Sequence, residues 1–429
     1  MTGTTRAAAA NPAATRMRVL ITAYFLLDGF VFANWVVRVP QIKAHVGASA
    51  GMLGLALLGV SVGAIATMTI TGRLCRRFGT RPVAFATSLL LACSVALPGV
   101  MPNVATLAAT LFVFGAAWGG MNVAINSAAV DIIGELDRPV MPAFHAAYSL
   151  GGLLGSVVGG AVADYASARV HLAAVGAASL VAAIGIGVPL LRCPALSTEL
   201  RRASEPTTTL ATDVAAPDSA EQIPSTPHEA HVARQVNIVV AIFSIIVLCS
   251  SFGEGAMADW GALHLRTDLH TSAGLAAAGY ASFSVAMFVG RLSGSWVLRK
   301  IGRTAVLAGG GLLAAAGMLG AALLPQLPVV LIGFVLVGIG LSNSFPAAVG
   351  QAGVLRGPSG VATASTVGYG GFLTGPPLIG FLADRLGLPI ALTSISVLAA
   401  LAAAIALLTA HQVKQAESLS RGEAATALV

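Results

Sequence analysis

The chain has 429 residues, of which 56% are hydrophobic and only 10% charged, with a formal net charge of +7. A soluble protein carries about 25% charged residues, so this composition excludes a water-facing surface and makes lipid the main solvent. The excess of cations does not by itself mean nucleic acid; where the cations fall along the chain decides that.

Residues 1–16 are small, polar and alanine-rich and read as a disordered tail. A span needs about 20 apolar residues. Twelve such runs follow, at 19–38, 51–72, 82–101, 104–126, 142–164, 170–191, 236–262, 274–298, 304–324, 328–350, 360–382 and 388–410. The first run, after Arg16 and Arg18, imitates a signal peptide. It is too long, contains Asp28 and lacks a convincing cleavage site, so it reads as a retained span. From Arg192 to Gln235, Pro, Ser, Thr, Glu and Asp replace the apolar pattern, too polar to fold alone. The expected organisation is therefore a tail (1–16), a six-helix bundle (17–192), a flexible cytoplasmic linker (193–235), a second six-helix bundle (236–410) and a cytoplasmic tail (411–429). The predicted fold class is an all-α integral membrane protein.

Most of the 24 Lys and Arg residues fall in segments that lie on one side of the membrane when the N-terminus is inside. Arg38, Lys43, Arg169, Arg266 and Arg385 face the other side, and Arg291 lies within a span. That asymmetry places both termini and the linker in the cytoplasm and argues against a nucleic-acid partner. The four cysteines, Cys75, Cys93, Cys193 and Cys249, form no close pair and point to neither a disulfide framework nor a zinc site. Walker A and HExxH sequences and metal-spaced clusters are absent, so the chain shows no ATP engine and no cofactor requirement, and no clustered catalytic residues point to an enzyme.

Two short basic joints link long apolar runs: Gly72-Arg73-Leu74-Cys75-Arg76-Arg77-Phe78-Gly79-Thr80-Arg81, and Gly294 to Arg303 with Arg299, Lys300 and Gly302. Such brief connections make their flanking helices antiparallel neighbours. Other features also repeat. Gly151, Gly155, Gly160, Ala163 and Asp164 return as Gly371, Gly375, Gly380, Ala383 and Asp384, and Asn34-Trp35 as Asp259-Trp260. A duplicated membrane fold places a transport site at the interface of its halves, near mid-membrane.

Asp28 lies near the middle of the first span, where a carboxylate costs several kcal/mol unless it faces a cavity or partner. It is read as a proton or substrate site, against a structural acid bonded to a neighbouring helix. Glu254, between two glycines of the seventh span, is a second proton-coupling candidate with an interhelical hydrogen bond as the equal alternative. Trp118, Asn122 and Asn126 share a face of the fourth span. They suit a polar organic ligand, although helix–helix hydrogen bonding is the slightly better account. Asn34, Trp35, His145, Tyr148, Asp259 and Asn343 complete the candidate substrate-binding set, against the commoner readings of His145 as a structural histidine and of Asp259 as an interfacial or gating residue. Arg291 either snorkels or pairs with an acid, in a structural role.

The first joint resembles the loop between the second and third helices of the major facilitator superfamily, matching it at Gly72, Leu74, Arg77, Gly79 and Arg81. Arg76 stands where the family carries an Asp that helps latch the cytoplasmic gate. The resemblance implies gating roles for Gly72, Arg76, Arg77, Gly79, Arg81, Arg299, Lys300 and Gly302. Gly151 to Gly160 resembles the family's antiporter motif, with Ser156 for its proline; spacing by four is also an ordinary helix-packing device. Residues 29–42 and 254–260 resemble the YbjJ-type bacterial transporters, relatives of the fucose permease. That likeness implies alternating access and makes Asp28 the match of an acid used in proton coupling. The fourth-span carboxylate of the fucose permease has no counterpart in 104–126.

The expected function is secondary transport of a small organic solute by alternating access, coupled to protons and leaning to export; the alternative is proton-coupled uptake of a sugar-like or other polar metabolite. The expected partners are the lipid bilayer, protons and the solute, with a monomer in the bacterial plasma membrane.

Overall fold

A computed structural model describes residues 12–136, 141–194, 227–416 and 418, and among these residues every regular element is helical. The first bundle contains α1 (Pro12–His45), α2 (Ala50–Phe78), α3 (Thr80–Ser94), α4 (Val104–Leu136), α5 (Met141–Ala163) and α6 (Ala168–Leu191). The second contains α7 (Pro227–Thr267), α8 (Ala273–Ile301), α9 (Arg303–Leu323), α10 (Leu327–Leu341), α11 (Ser344–Leu386) and α12 (Leu388–Leu408). A short 3-10 turn, Leu97–Val100, follows α3, where Pro98 removes a backbone donor. Most of the expected linker and both outermost tails lie outside the described residues.

Helices outrun the hydropathic spans because backbone hydrogen bonding continues through the polar ends. α1 starts at Pro12, inside the expected N-terminal tail, and α7 starts at Pro227, inside the expected linker. Proline suits a first helical position, where its missing N–H is one the helix cannot use. α4 runs to Leu136 and so carries Asp131 and Glu135 beyond the span read as free of carboxylates. The tenth span is broken at Ser342 and Asn343. α11 then folds back on itself: an added Cβ on Gly353 would lie 2.7 Å from Val361. Thus α10 with the first part of α11 makes the tenth span, and the rest of α11 the eleventh.

Gly79 joins α2 to α3 at φ 86°, and Gly302 joins α8 to α9 at φ 80°. One residue both ends one helix and starts the next, and only glycine takes that conformation without strain. These joints define one end of the molecule, the joint end. Opposite lies the far end, where α2 and α8 begin at the side-chain caps Ser49 and Ser272.

Large apolar side chains such as Val181, Ile332, Val397 and Leu408 point outward. In a chain this apolar they are the lipid-facing surface. Trp35 and Trp260, the paired tryptophans of the two halves, are both buried. Close helix approach is built on glycine. An added Cβ on Gly29 would run into the Tyr148 carbonyl of α5, and one on Gly151 into the Leu26 carbonyl of α1. The fifth-span glycines thus pack the helix that carries Asp28.

Candidate functional site: a polar cluster between the bundles

Asp28 is 0% exposed, and neither carboxyl oxygen has a hydrogen-bond partner among the described residues. Its neighbour Gly29 presses against the α5 backbone, which brings the carboxyl beside Tyr148. A buried carboxyl without a donor is completed by a proton or by a donor on a ligand.

The second bundle supplies the facing groups. Arg291 of α8 donates to Glu254 Oε1 of α7 at 2.8 Å and to Ser149 Oγ of α5 at 3.3 Å. It therefore pairs with an acid and also crosses between the bundles. Glu254 and Arg291 are 24% and 22% exposed, so the pair borders an opening rather than a closed core. Tyr148 lies within electrostatic reach of Asp28, Tyr280, Glu254 and Arg291. Tyr280 of α8 reaches Glu254, Arg291 and Asp259, Tyr369 of α11 reaches Glu254, and His145 is close to Arg291. His145 is solvent-accessible, and its ring meets Phe25 edge-on at 5.4 Å.

Of the residues singled out in the sequence, the structure gathers Asp28, His145, Tyr148, Glu254 and Asp259 into this cluster. Trp118 stacks on Phe32, one turn beyond Asp28, at 5.1 Å. Asn126 turns back to its own helix, donating to the Asn122 carbonyl at 2.8 Å. Asn343 fills the break between α10 and α11 and donates to the Gly290 carbonyl at 2.9 Å. Asn34 and Trp35 are packed inside the first bundle. Trp35 lies against Phe114, and Asn34 belongs to a buried relay toward the far end.

In that relay Arg38 Nε donates to His171 Nδ1 at 2.6 Å, and His171 Nε2 meets Asn34 Oδ1 at 2.9 Å. With Nδ1 accepting from arginine, Nε2 carries the proton and donates to Asn34. Arg38 also donates to the Ala163 carbonyl at 3.2 Å and the Ala166 carbonyl at 2.9 Å, closing the end of α5.

Sequence reasoning left out Tyr280, Tyr369 and Ser149, which carry no charge and stand in otherwise ordinary apolar runs. At the joint end Arg76, Arg77, Arg299 and Lys300 are exposed, whereas Arg81 is held by the Cys193 carbonyl after α6. Among the described residues no group of three or more His, Cys, Asp or Glu is placed to hold a metal ion.

The family profile described as Major Facilitator Superfamily matches residues 20–354 and 243–429. The chain belongs to the major facilitator superfamily. It is 32% identical over 377 residues to an uncharacterised MFS-type transporter of Yersinia pestis, covering 87% of this chain and 91% of that one. It is also 32% identical over 389 residues to an uncharacterised transporter of Sinorhizobium fredii, covering 90% and 96%. Among solved structures, a bacterial homologue of the human lysosomal transporter Spinster, inward-facing and unoccupied, superposes with a TM-score of 0.72 over 95% of this chain and 99% of that one, at 15% identity. This superfamily member is a multi-pass membrane protein built for transport.

Proposed function

We propose that this facilitator exchanges protons for a small organic solute by alternating access, exporting the solute. The carrying observation is Asp28: buried, unpartnered and beside the opening lined by the second bundle. One such carboxyl is satisfied by a proton or by a donor on the solute, one at a time, which is the logic of antiport. Asp28 is the proton site in this reading, and Glu254 is the partly exposed acid that responds to the solute through Arg291. His145, Tyr148, Asp259 and the Trp118–Asn122 face of α4 bind the solute. The basic joints, from Gly72 to Arg81 and from Arg299 to Gly302, govern movement at their end. The protein works as a monomer in the bacterial plasma membrane with both termini and the linker inside. The likeness of residues 29–42 and 254–260 to YbjJ-type transporters supports the same assignment of Asp28.

Proton-coupled uptake of a sugar-like or other polar metabolite, by symport, is the second reading, favoured by the likeness to relatives of the fucose permease. Proteoliposomes loaded with a pH dye and screened with sugars, amino acids and antimicrobials separate the two. Antiport predicts proton movement against the solute. Movement in the same direction replaces it with uptake, and solute flux without proton movement overturns coupling.

A further inference from the structure

We propose that Asp164 and Asp384 are a matched pair of latches that clamp the two bundles together at the far end, each by capping a helix of the opposite bundle. The inference rests on the alternating-access reading above and adds to it the groups that hold one gate shut.

Asp164 follows the last residue of α5, in the first bundle. Its Oδ1 accepts from the Ala273 amide at 2.8 Å and its Oδ2 from the Gly274 amide at 3.0 Å, both at the start of α8 in the second bundle. Asp384 lies near the end of α11, in the second bundle. Its Oδ2 accepts from the Ser49 hydroxyl and the Gly51 amide, each at 2.8 Å, at the start of α2 in the first bundle. The two contacts are the same interaction drawn twice, related by the duplication of the fold. The receiving sequences are also the same, Ser49-Ala50-Gly51 and Ser272-Ala273-Gly274.

The physical basis is the unsatisfied start of a helix. Its first amides have no partner within the helix, and its dipole favours an anion there. Each serine already caps its own helix, accepting from Met52 at 3.1 Å or Leu275 at 3.2 Å. The aspartates take further amides at the same starts, Ala273 and Gly274 for Asp164 and Gly51 for Asp384. Within its own bundle neither carboxylate is needed to end its helix, so these bonds serve the boundary.

The glycines make room. An added Cβ on Gly51 would lie 2.5 Å from Asp384 Oδ2, and one on Gly274 would lie 2.6 Å from Asp164 Oδ2. One turn before each aspartate a further glycine lets the helices approach. A Cβ on Gly380 would lie 2.6 Å from the Ala50 carbonyl, and one on Gly160 2.9 Å from Ala277. The repeat of Gly160, Ala163 and Asp164 as Gly380, Ala383 and Asp384 is thereby the signature of the latch itself.

Asp164 has further support. Although its slight desolvation works the other way, bonds from Ser272, Gly274 and Ala273 and the nearby Arg266 hold its carboxyl below the ordinary value. Arg38, buried behind it, fixes the α5 end through Ala163 and Ala166. Single surface contacts of this kind are weak, which suits a gate that must open. Two of them acting at opposite edges set the closed state together.

The test is a distance measurement between spin labels in lipid nanodiscs, with the four native cysteines replaced. One pair, at Tyr165 and Thr267, reports the far end; a second, at Leu74 and Ile301, reports the joint end. In the Asp164→Ala/Asp384→Ala double variant the far-end distribution is expected to move to longer distances, and each single variant to move less. Gly51→Ala/Gly274→Ala is expected to do the same while keeping both carboxylates and improving helix propensity, so it carries the test should the aspartate variant fold poorly. Far-end distances unchanged from the parent in the folded variants overturn the latch. Far-end opening with no closing at the joint end leaves the latch standing and overturns alternating access instead.

Discussion

The two ends of this facilitator use charge in opposite ways, although Gly387, at φ 84°, bends the chain between α11 and α12 at the far end as Gly79 and Gly302 do at the joint end. At the joint end, Gly79 and Gly302 bend the chain within a bundle, and the adjacent cations stay local: Arg77 sits over Phe78 at 5.2 Å and Lys300 over Trp296 at 4.9 Å. At the far end, glycine admits a neighbouring bundle and the charges are carboxylates reaching across to it. Between them Arg291 spans the interface through Ser149. Cations near one membrane face are held by lipid and solvent, while anions at helix starts are held by protein. An end fastened to protein must break bonds to open; an end fastened to its surroundings need not.

The sharpest way to break this contrast is Arg38→Ala. Arg38 is fully buried, and its loss leaves His171 Nδ1 and the Ala166 carbonyl without their donor, while the Ala163 carbonyl keeps only Gln41. Several lost bonds to a buried charged group predict destabilisation of about 3–5 kcal/mol. Thermal unfolding in detergent checks it, and the exposed Arg77→Gln should unfold with the parent. A loss below about 1 kcal/mol would mean the relay does not support the far end.

Gly302→Ala is the next step down. At φ 80° and ψ 162° Gly302 occupies a region open essentially to glycine alone, which predicts a cost of about 1–3 kcal/mol for an added side chain. The same unfolding assay reads it, and an unchanged midpoint would remove strain from the account of the joint. Smaller again is Ser272→Ala, which removes the cap on α8 at about 1 kcal/mol. Because Ser272 also bonds Asp164, far-end distances should lengthen slightly in the same variant.

The smallest expected effect is that of pH on the Asp164 contact. A carboxyl held below its ordinary value contributes above the unfolded value and loses that contribution as pH falls through the lowered one. Between about pH 5 and pH 8 Asp164 stays ionised, with Arg266 and Arg38 as the neighbouring cations, so far-end distances should not change. Opening on mild acidification would assign the far-end control to another group.

Much of this arrangement was legible in the sequence. Apolar runs gave the spans because lipid imposes their length, and the cation bias separated the two ends. Asp28, Glu254 and Tyr148 stood out as polar residues in apolar helices. The repeat ending in Asp164 and Asp384 was visible, but its partners were not. Each lies in the opposite half, and no periodicity links a helix end to a helix start more than one hundred residues away. Arg291 likewise announced its cost without announcing Ser149. Asn34 and Asn343 stood out as amides in apolar helices, but an amide suits a ligand and a helix break equally well, and the bonds these two make are set by packing. Asp131 escaped notice because hydropathy ends where α4 does not.

The central claim is that Asp28 carries the coupled proton. Asp28→Asn keeps the side chain's size and removes its titration, so the protein should fold and reach the membrane as the parent does. The most direct measurement records proton movement and radiolabelled solute flux together in proteoliposomes of parent and variant. The account predicts that proton-driven flux disappears in the variant, while solute exchange without net proton movement survives. Coupled flux equal to the parent's across the range from about pH 5.5 to pH 8, spanning the ordinary histidine range, would contradict it and make Asp28 a structural acid.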